Sequence, residues 1–246
     1  VSQTANVEMR SAQEVIRDAR ITQAPNGICY TTAGEVALPQ ADLERMIAAV
    51  PLPIAAALDR KAFYFVPMTV NEGEKTLIAD RYDSALMERA VCHRNIDSGD
   101  AQCVFISTRL LDDKFSIAFE FYINVGHAFV AKAGVSGEFA ELVWNQASSG
   151  VRGETSLDAH EFRKQALGNS GRVDEKAKSD YAIAAFSDAI AIYTLSLCLD
   201  VDYYELRERE YPLLAPSALA ERLKKIAELF PPSPGFQFNI FYRRRT

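Results

Sequence analysis

Between Tyr181 and Leu199 the chain is apolar almost without a break, interrupted by Ser187, Asp188, Thr194 and Ser196. A helix of roughly 20 apolar residues can cross a bilayer. An acid near the middle of such a helix, however, costs about 2.5–3.5 kcal/mol on insertion scales. The run therefore predicts the buried central helix of a globular domain and no transmembrane span. The remaining elements must be arranged to cover it.

The second half of the sequence offers the partners. Residues 137–148, 156–167, 174–199 and 216–230 read as helices, with Thr155 to Asp158 in the pattern of a capping box. Pro231-Pro232 and Pro234-Gly235 end the last of them. Phe236, Phe238, Ile240 and Tyr242 then alternate with other residues, which predicts a final strand returning to the sheet. Tyr203, Tyr204, Tyr211 and Phe241 add aromatic surface that lines a groove if exposed and fills a core if buried.

The first half is mixed. Residues 8–20 predict an amphipathic helix with Ala12, Val15 and Ile16 near one face. Pro25-Asn26-Gly27 marks a turn before a strand at 28–32. A helix follows Pro39 and is stopped by Pro51 and Pro53. Residues 62–70 and 75–79 predict strands, the first weakened at Pro67. In the stretch 115–124, Phe115, Ile117, Phe119, Phe121 and Ile123 alternate with Ser116, Ala118, Glu120, Tyr122 and Asn124. That alternation predicts a strand paired with Cys103–Leu111 as a hairpin through Asp112-Asp113-Lys114. The expected fold class is α+β. An antiparallel meander sheet occupies mainly the N-terminal half and packs against a helical C-terminal half. No repeat, low-complexity segment or linker interrupts the chain, so one domain over residues 1–246 is expected.

Composition narrows the function classes. The formal net charge is −6, which argues against nucleic acid, because a binder needs a basic face to neutralise phosphates. Arg243-Arg244-Arg245 reads as a solvated tail. The first residue is Val1 and the chain has four cysteines, Cys29, Cys92, Cys103 and Cys198. Together these lead to the expectation of a periplasmic or secreted protein, in which Cys92 and Cys103 either close a disulfide or stay reduced. The expected partner is a small molecule or another protein.

No Gly-rich phosphate loop, nucleophile elbow or calcium loop is intact. What remains are histidines and carboxylates. His160-Glu161 supplies the first half of His-Glu-x-x-His, in which two histidines four apart bind zinc while the Glu activates water. Here Lys164 stands at the second ligand position, and an ammonium cannot ligate a cation. A metal site can still assemble from distant residues. His127, His160 and Asp188 are the candidate ligands for a divalent ion such as zinc, with His160 and Glu161 as the candidate acid–base pair. Asp188 lies inside the most apolar run and needs a partner: His160, a metal, an arginine or a backbone amide. Each histidine equally suits a surface position or a satisfied core hydrogen bond. Cys29 with His127 or His160 and with Asn145 has the residue types of a nucleophile site. Two functions are thus expected from the sequence: a hydrolase-like scaffold with a histidine–carboxylate site, metal-dependent or not, or a non-catalytic, exported ligand-binding or protein-interaction module. Convergence of His160, Glu161 and Asp188 discriminates between them.

Overall fold

The structure is a computed structural model that describes residues 7–73, 75–168, 172–206 and 210–241. Arg243-Arg244-Arg245 and Tyr242 lie outside the described residues. The strands are β1 (Met9–Ser11), β2 (Thr22–Gln23), β3 (Cys29–Thr32), β4 (Lys61–Val66), β5 (Met68–Glu72), β6 (Lys75–Ala79), β7 (Ala90–Val91), β8 (His93–Ser98) and β9 (Ala101–Ser107). The helices are α1 (Ala12–Asp18), α2 (Gln40–Ala48), α3 (Leu52–Ala56), α4 (Thr108–Leu111), α5 (Lys114–Ala133), α6 (Gly137–Ser148), α7 (Leu157–Leu167), α8 (Glu175–Cys198) and α9 (Pro216–Leu229). Strands fill the N-terminal half and helices the C-terminal half, an α+β fold. The chain divides into two compact units. One comprises the described residues of 1–48 and 58–121, the other those of 49–57 and 122–246.

The first unit contains two sheets, ordered β1-β6-β5-β7 and β2-β3-β4-β9-β8. The first is antiparallel throughout. The second is mixed, with β4 parallel to both β3 and β9. This departs from the expected antiparallel meander. A crossover containing α2 separates β3 from β4, and such a connection permits parallel pairing where a tight turn does not. Pro67 interrupts the apolar run at 62–70 and splits it into β4 and β5, one strand in each sheet. The sheets meet at Ser107, whose hydroxyl accepts from Thr69 N (2.9 Å) and donates to Val91 O (2.6 Å).

β4 is covered on both faces, which explains its near-continuous apolar sequence. Tyr64 and Val66 share a core with Ala12 and Val15 of α1 and with Ile78 and Phe105. Phe63 and Phe65 point the other way, onto Phe121, with ring centroids 4.9 and 5.7 Å apart. The predicted helix at 8–20 begins later, at Ala12. Its start is a capping box in which Ser11 Oγ accepts from Glu14 N and Glu14 reaches back to Ser11 N. Pro51 and Pro53 not only follow α2 but open α3, where a missing N–H costs nothing.

The largest correction concerns residues 103–124. Residues 115–124 form no strand; they belong to helix α5. Ile117, Ala118, Phe121, Tyr122 and Val125 are all fully buried, which is helical spacing. The true hairpin joins β8 to β9, with Ser98 opposite Ala101 across a turn containing Gly99 at φ 59°. This register also disposes of the proposed disulfide. Cys103 pairs with Ile96, whereas Cys92 O accepts from Ser107 N. The two cysteines are therefore about four strand residues, or ~13 Å, apart, far beyond disulfide reach. All four cysteines are free thiols.

In the second unit, α6, α7 and α9 surround α8. Among the described helices, α8 alone is long and apolar enough to cross a membrane, and 83% of that stretch is buried in protein. The helix occupies the central position expected from its sequence. α5 crosses α8 at Gly126, where an added Cβ would stand 2.5 Å from Ser187 O. Phe129, Phe139, Phe186 and Phe230 pack around this crossing. The predicted strand at 236–242 is not paired with any sheet over its described residues. Its alternation instead turns Phe238 onto Tyr193, with ring centroids 5.1 Å apart.

Candidate functional site

The residues expected to act together come from three helices, α5, α7 and α8. His127 is exposed on α5. His160, on α7, stacks on Tyr211 at 5.9 Å and 22°. Glu161 faces Lys164 at 3.9 Å in an exposed pair one turn apart. Asp188, on α8, accepts from the Thr155 hydroxyl at 2.8 Å. Among the described residues no group of three or more His, Cys, Asp or Glu side chains is placed to hold a metal ion. The proposed His127, His160 and Asp188 ligand set therefore does not assemble. Cys29 lies on β3 in the first unit, whereas His127, His160 and Asn145 belong to the second.

The expected partners of Asp188 were a histidine, a metal, an arginine or an amide, yet hydroxyls take the role. Thr155 does not cap α7; Ser156 does, accepting from Ala159 N. That one-residue shift frees the Thr155 hydroxyl for Asp188. Burial pushes the Asp188 carboxyl up to about 6, against the opposing effect of the Ser156 and Thr155 hydroxyls. Tyr211 completes the corner by donating to Thr155 O at 3.1 Å.

Beside this corner lies an ionic cluster built on a fully buried pair. Glu154 and Arg222 are both 0% exposed. The Glu154 carboxylate accepts from Arg222 Nη1 (2.9 Å), Arg163 Nη1 (3.1 Å) and the Tyr181 hydroxyl (2.7 Å). Arg222 also donates to Gln146 Oε1 (2.8 Å) and to Tyr181 (2.9 Å). Burial works against the Arg222 charge, but Glu154 and Tyr181 outweigh it and raise its pKa above the ordinary value. Burial raises that of the Tyr181 phenol as well. Arg163 further donates to the carbonyls of Val151 (2.5 Å), Gly153 (3.0 Å) and Ala147 (3.3 Å). These bonds tie α6, α7, α8 and α9 to one another and to the segment 151–154. The cluster is an architectural joint.

Two places in the first unit are open. One is a cleft of about 340 Å3 whose lining includes Arg10, Asp18, Arg20, Thr22, Tyr30 and Thr32. The Thr31 hydroxyl donates to Arg20 O at 3.0 Å and pins that residue's backbone to β3. Arg10 is paired with Asp18, which also accepts from Arg17 Nε at 3.0 Å. Burial, and secondarily the charge of Glu44, raises the pKa of the Tyr30 phenol. The other place is a histidine–carboxylate pair absent from the expected set: His93 Nδ1 lies 2.5 Å from Glu120 Oε1. His93 is 41% exposed and Glu120 16%. The neighbouring Cys92 thiol is pushed up by burial and by the Glu120 charge, which disfavours the thiolate.

Neither open place announced itself in the sequence. The cleft draws on α1, β2 and β3, and its polar residues follow no motif. Glu120 was visible as a polar residue, but the strand reading gave it no route to His93. Comparison of the chain with protein families, with curated proteins and with solved structures yields no match.

Proposed function

We propose that the chain is a non-catalytic binding module for a small polar molecule, seated in the cleft of the first unit. The observation that supports this reading is the cleft itself, whose lining combines Arg10, Arg20 and several hydroxyl-bearing residues with the apolar Val15 and Ala19. A concavity with a few convergent polar groups is the usual form of a small-ligand site, and about 340 Å3 falls at the lower end of the ~300–1,000 Å3 such sites occupy. A metal-dependent hydrolase has less support, because no group of three or more potential ligands is placed for a metal ion among the described residues and Glu161 is engaged at the surface with Lys164. The test is a fragment screen by two-dimensional amide NMR on the full chain. Hits are expected to shift resonances of α1, β2 and β3 and to be lost in Thr32→Phe, which fills the cleft. Hits that shift only other residues would overturn the reading.

A second reading, an acid–base enzyme, is favoured by the His93–Glu120 pair. A carboxylate on Nδ1 orients the ring and leaves Nε2 to take a proton. Hydrolysis of an activated ester at least ~10-fold above a His93→Gln variant supports it, since general-base assistance typically contributes 10²-fold or more. Equal rates remove it.

A further inference from the structure

Resting on the cleft reading, we infer that the ligand carries an oxyanion, a carboxylate or a phosphate, and that Arg20 is the residue that holds it. Among the side chains that line the cleft, two arginines, Arg10 and Arg20, stand against one carboxylate, Asp18. Asp18 accepts from two guanidiniums, those of Arg10 and Arg17. Its charge is therefore engaged, and it is a poor receiver for a cationic ligand. Arg10 is satisfied by Asp18 and by Glu14 O at 3.4 Å. The Arg20 side chain has no hydrogen-bond or ion-pair partner among the described residues, although its backbone is fixed by Thr31.

An anchored root with an unpaired head is what an anion site needs. The planar fork of a guanidinium matches two oxygens of a carboxylate or phosphate at once. The hydroxyls of Thr22 and Thr32, which also line the cleft, can donate to a further oxygen. The apolar stretch formed by Val15, Ala19 and Ala33 accepts the body of the molecule. The volume of about 340 Å3 fits a small molecule.

The experiment is isothermal calorimetry on the full chain with three probes: inorganic phosphate, benzoate and its neutral isostere benzamide. Arg20→Gln and Arg20→Lys are run in parallel, with unfolding midpoints as a control for folding. Benzoate or phosphate should bind, benzoate roughly tenfold or more tightly than benzamide, because a charge-assisted pair contributes that much beyond a neutral contact. Arg20→Gln should abolish the preference, while Arg20→Lys retains part of it and weakens steeply with added salt. Phosphate binding without benzoate binding assigns a phosphorylated ligand, and the reverse assigns a carboxylic acid; either supports the inference. Equal binding of benzoate and benzamide, or an unchanged preference in Arg20→Gln, overturns it. Neutral NMR hits in the cleft would then leave the binding-module reading standing. Absence of any cleft ligand overturns both.

Discussion

Replacing Glu154 with glutamine should destabilise the second unit more than replacing either arginine that it binds. The carboxylate is 0% exposed and, among the described residues, is the one negative charge that both Arg222 and Arg163 touch. Glutamine keeps the shape but leaves two guanidiniums facing each other in a dry interior. At an effective dielectric near 20, each contact of this kind is worth about 4 kcal/mol at 4 Å. Measured losses on breaking buried ionic groups run about 3–5 kcal/mol, a large share of the ~5–15 kcal/mol that holds a domain folded. Arg222→Met should cost about half as much, because Glu154 keeps Arg163 and Tyr181 and the residual cluster is neutral. The chain has one tryptophan, Trp144 on α6, with Lys178 Nζ 4.8 Å from its ring centre. Its fluorescence therefore reports unfolding of the second unit. With a urea dependence of about 2–3 kcal/mol per molar, Glu154→Gln should lower the midpoint by about 1–2 M. The double variant Glu154→Gln/Arg222→Met should recover about 1 kcal/mol over the single one, as coupled sites do. A Glu154→Gln midpoint within about 0.3 M of the parent, or a larger loss in Arg222→Met, would refute this account of the cluster.

Asp188 predicts a pH dependence. Its carboxyl is raised to about 6, so it holds its proton more tightly in the folded chain than in the unfolded one. Its stabilising contribution is complete below about pH 4 and is lost as pH rises through about 6, with a ceiling near ~3 kcal/mol that partial exposure reduces. Asp188→Asn should remove that slope, so parent stability relative to the variant must fall between pH 4 and pH 7; a constant difference would contradict it. Gly126→Ala should cost about 1–3 kcal/mol by thermal melt, although alanine is the better helix former by about 1 kcal/mol; a gain in stability would mean the α5–α8 crossing is looser than described. Cys92 should react with a disulfide reagent in the folded chain while Cys103 and Cys198 react only on unfolding, and its rate should keep climbing above about pH 8.5; three equally reactive thiols would contradict the burial pattern.

The helices of the second half were legible because each has its own signals: α9 opens on proline, α8 on Asp174, and both carry apolar faces long enough to exclude a strand. α5 was misread because its apolar residues satisfy two periods at once. Phe115, Ile117, Phe119 and Phe121 alternate, but the apolar run continues through Val125, Phe129 and Val130, a length that only a helix fills in a compact unit. β8 was invisible for the opposite reason. As an edge strand it has almost no buried side chain, so His93–Ser98 reads as a polar loop. The ionic cluster escaped notice because Gln146, Glu154, Arg163, Tyr181 and Arg222 are scattered along the chain and share no spacing. Asp188 needs a partner by its place in an apolar run, and a hydroxyl supplies it because the α7 cap falls one residue later than the capping-box pattern indicates.

The two units are interleaved along the chain: residues 49–57 belong with those after Phe121, although they precede Leu58. No single cut can therefore release either one as an intact fragment. Cleavage after Phe121 would halve α5 and strand Ala49–Ala57 on the wrong piece. Emerging from a ribosome, the second unit must wait with an early segment in hand until its remainder appears more than sixty residues later. Dissecting this protein into halves calls for a circularly permuted or spliced gene.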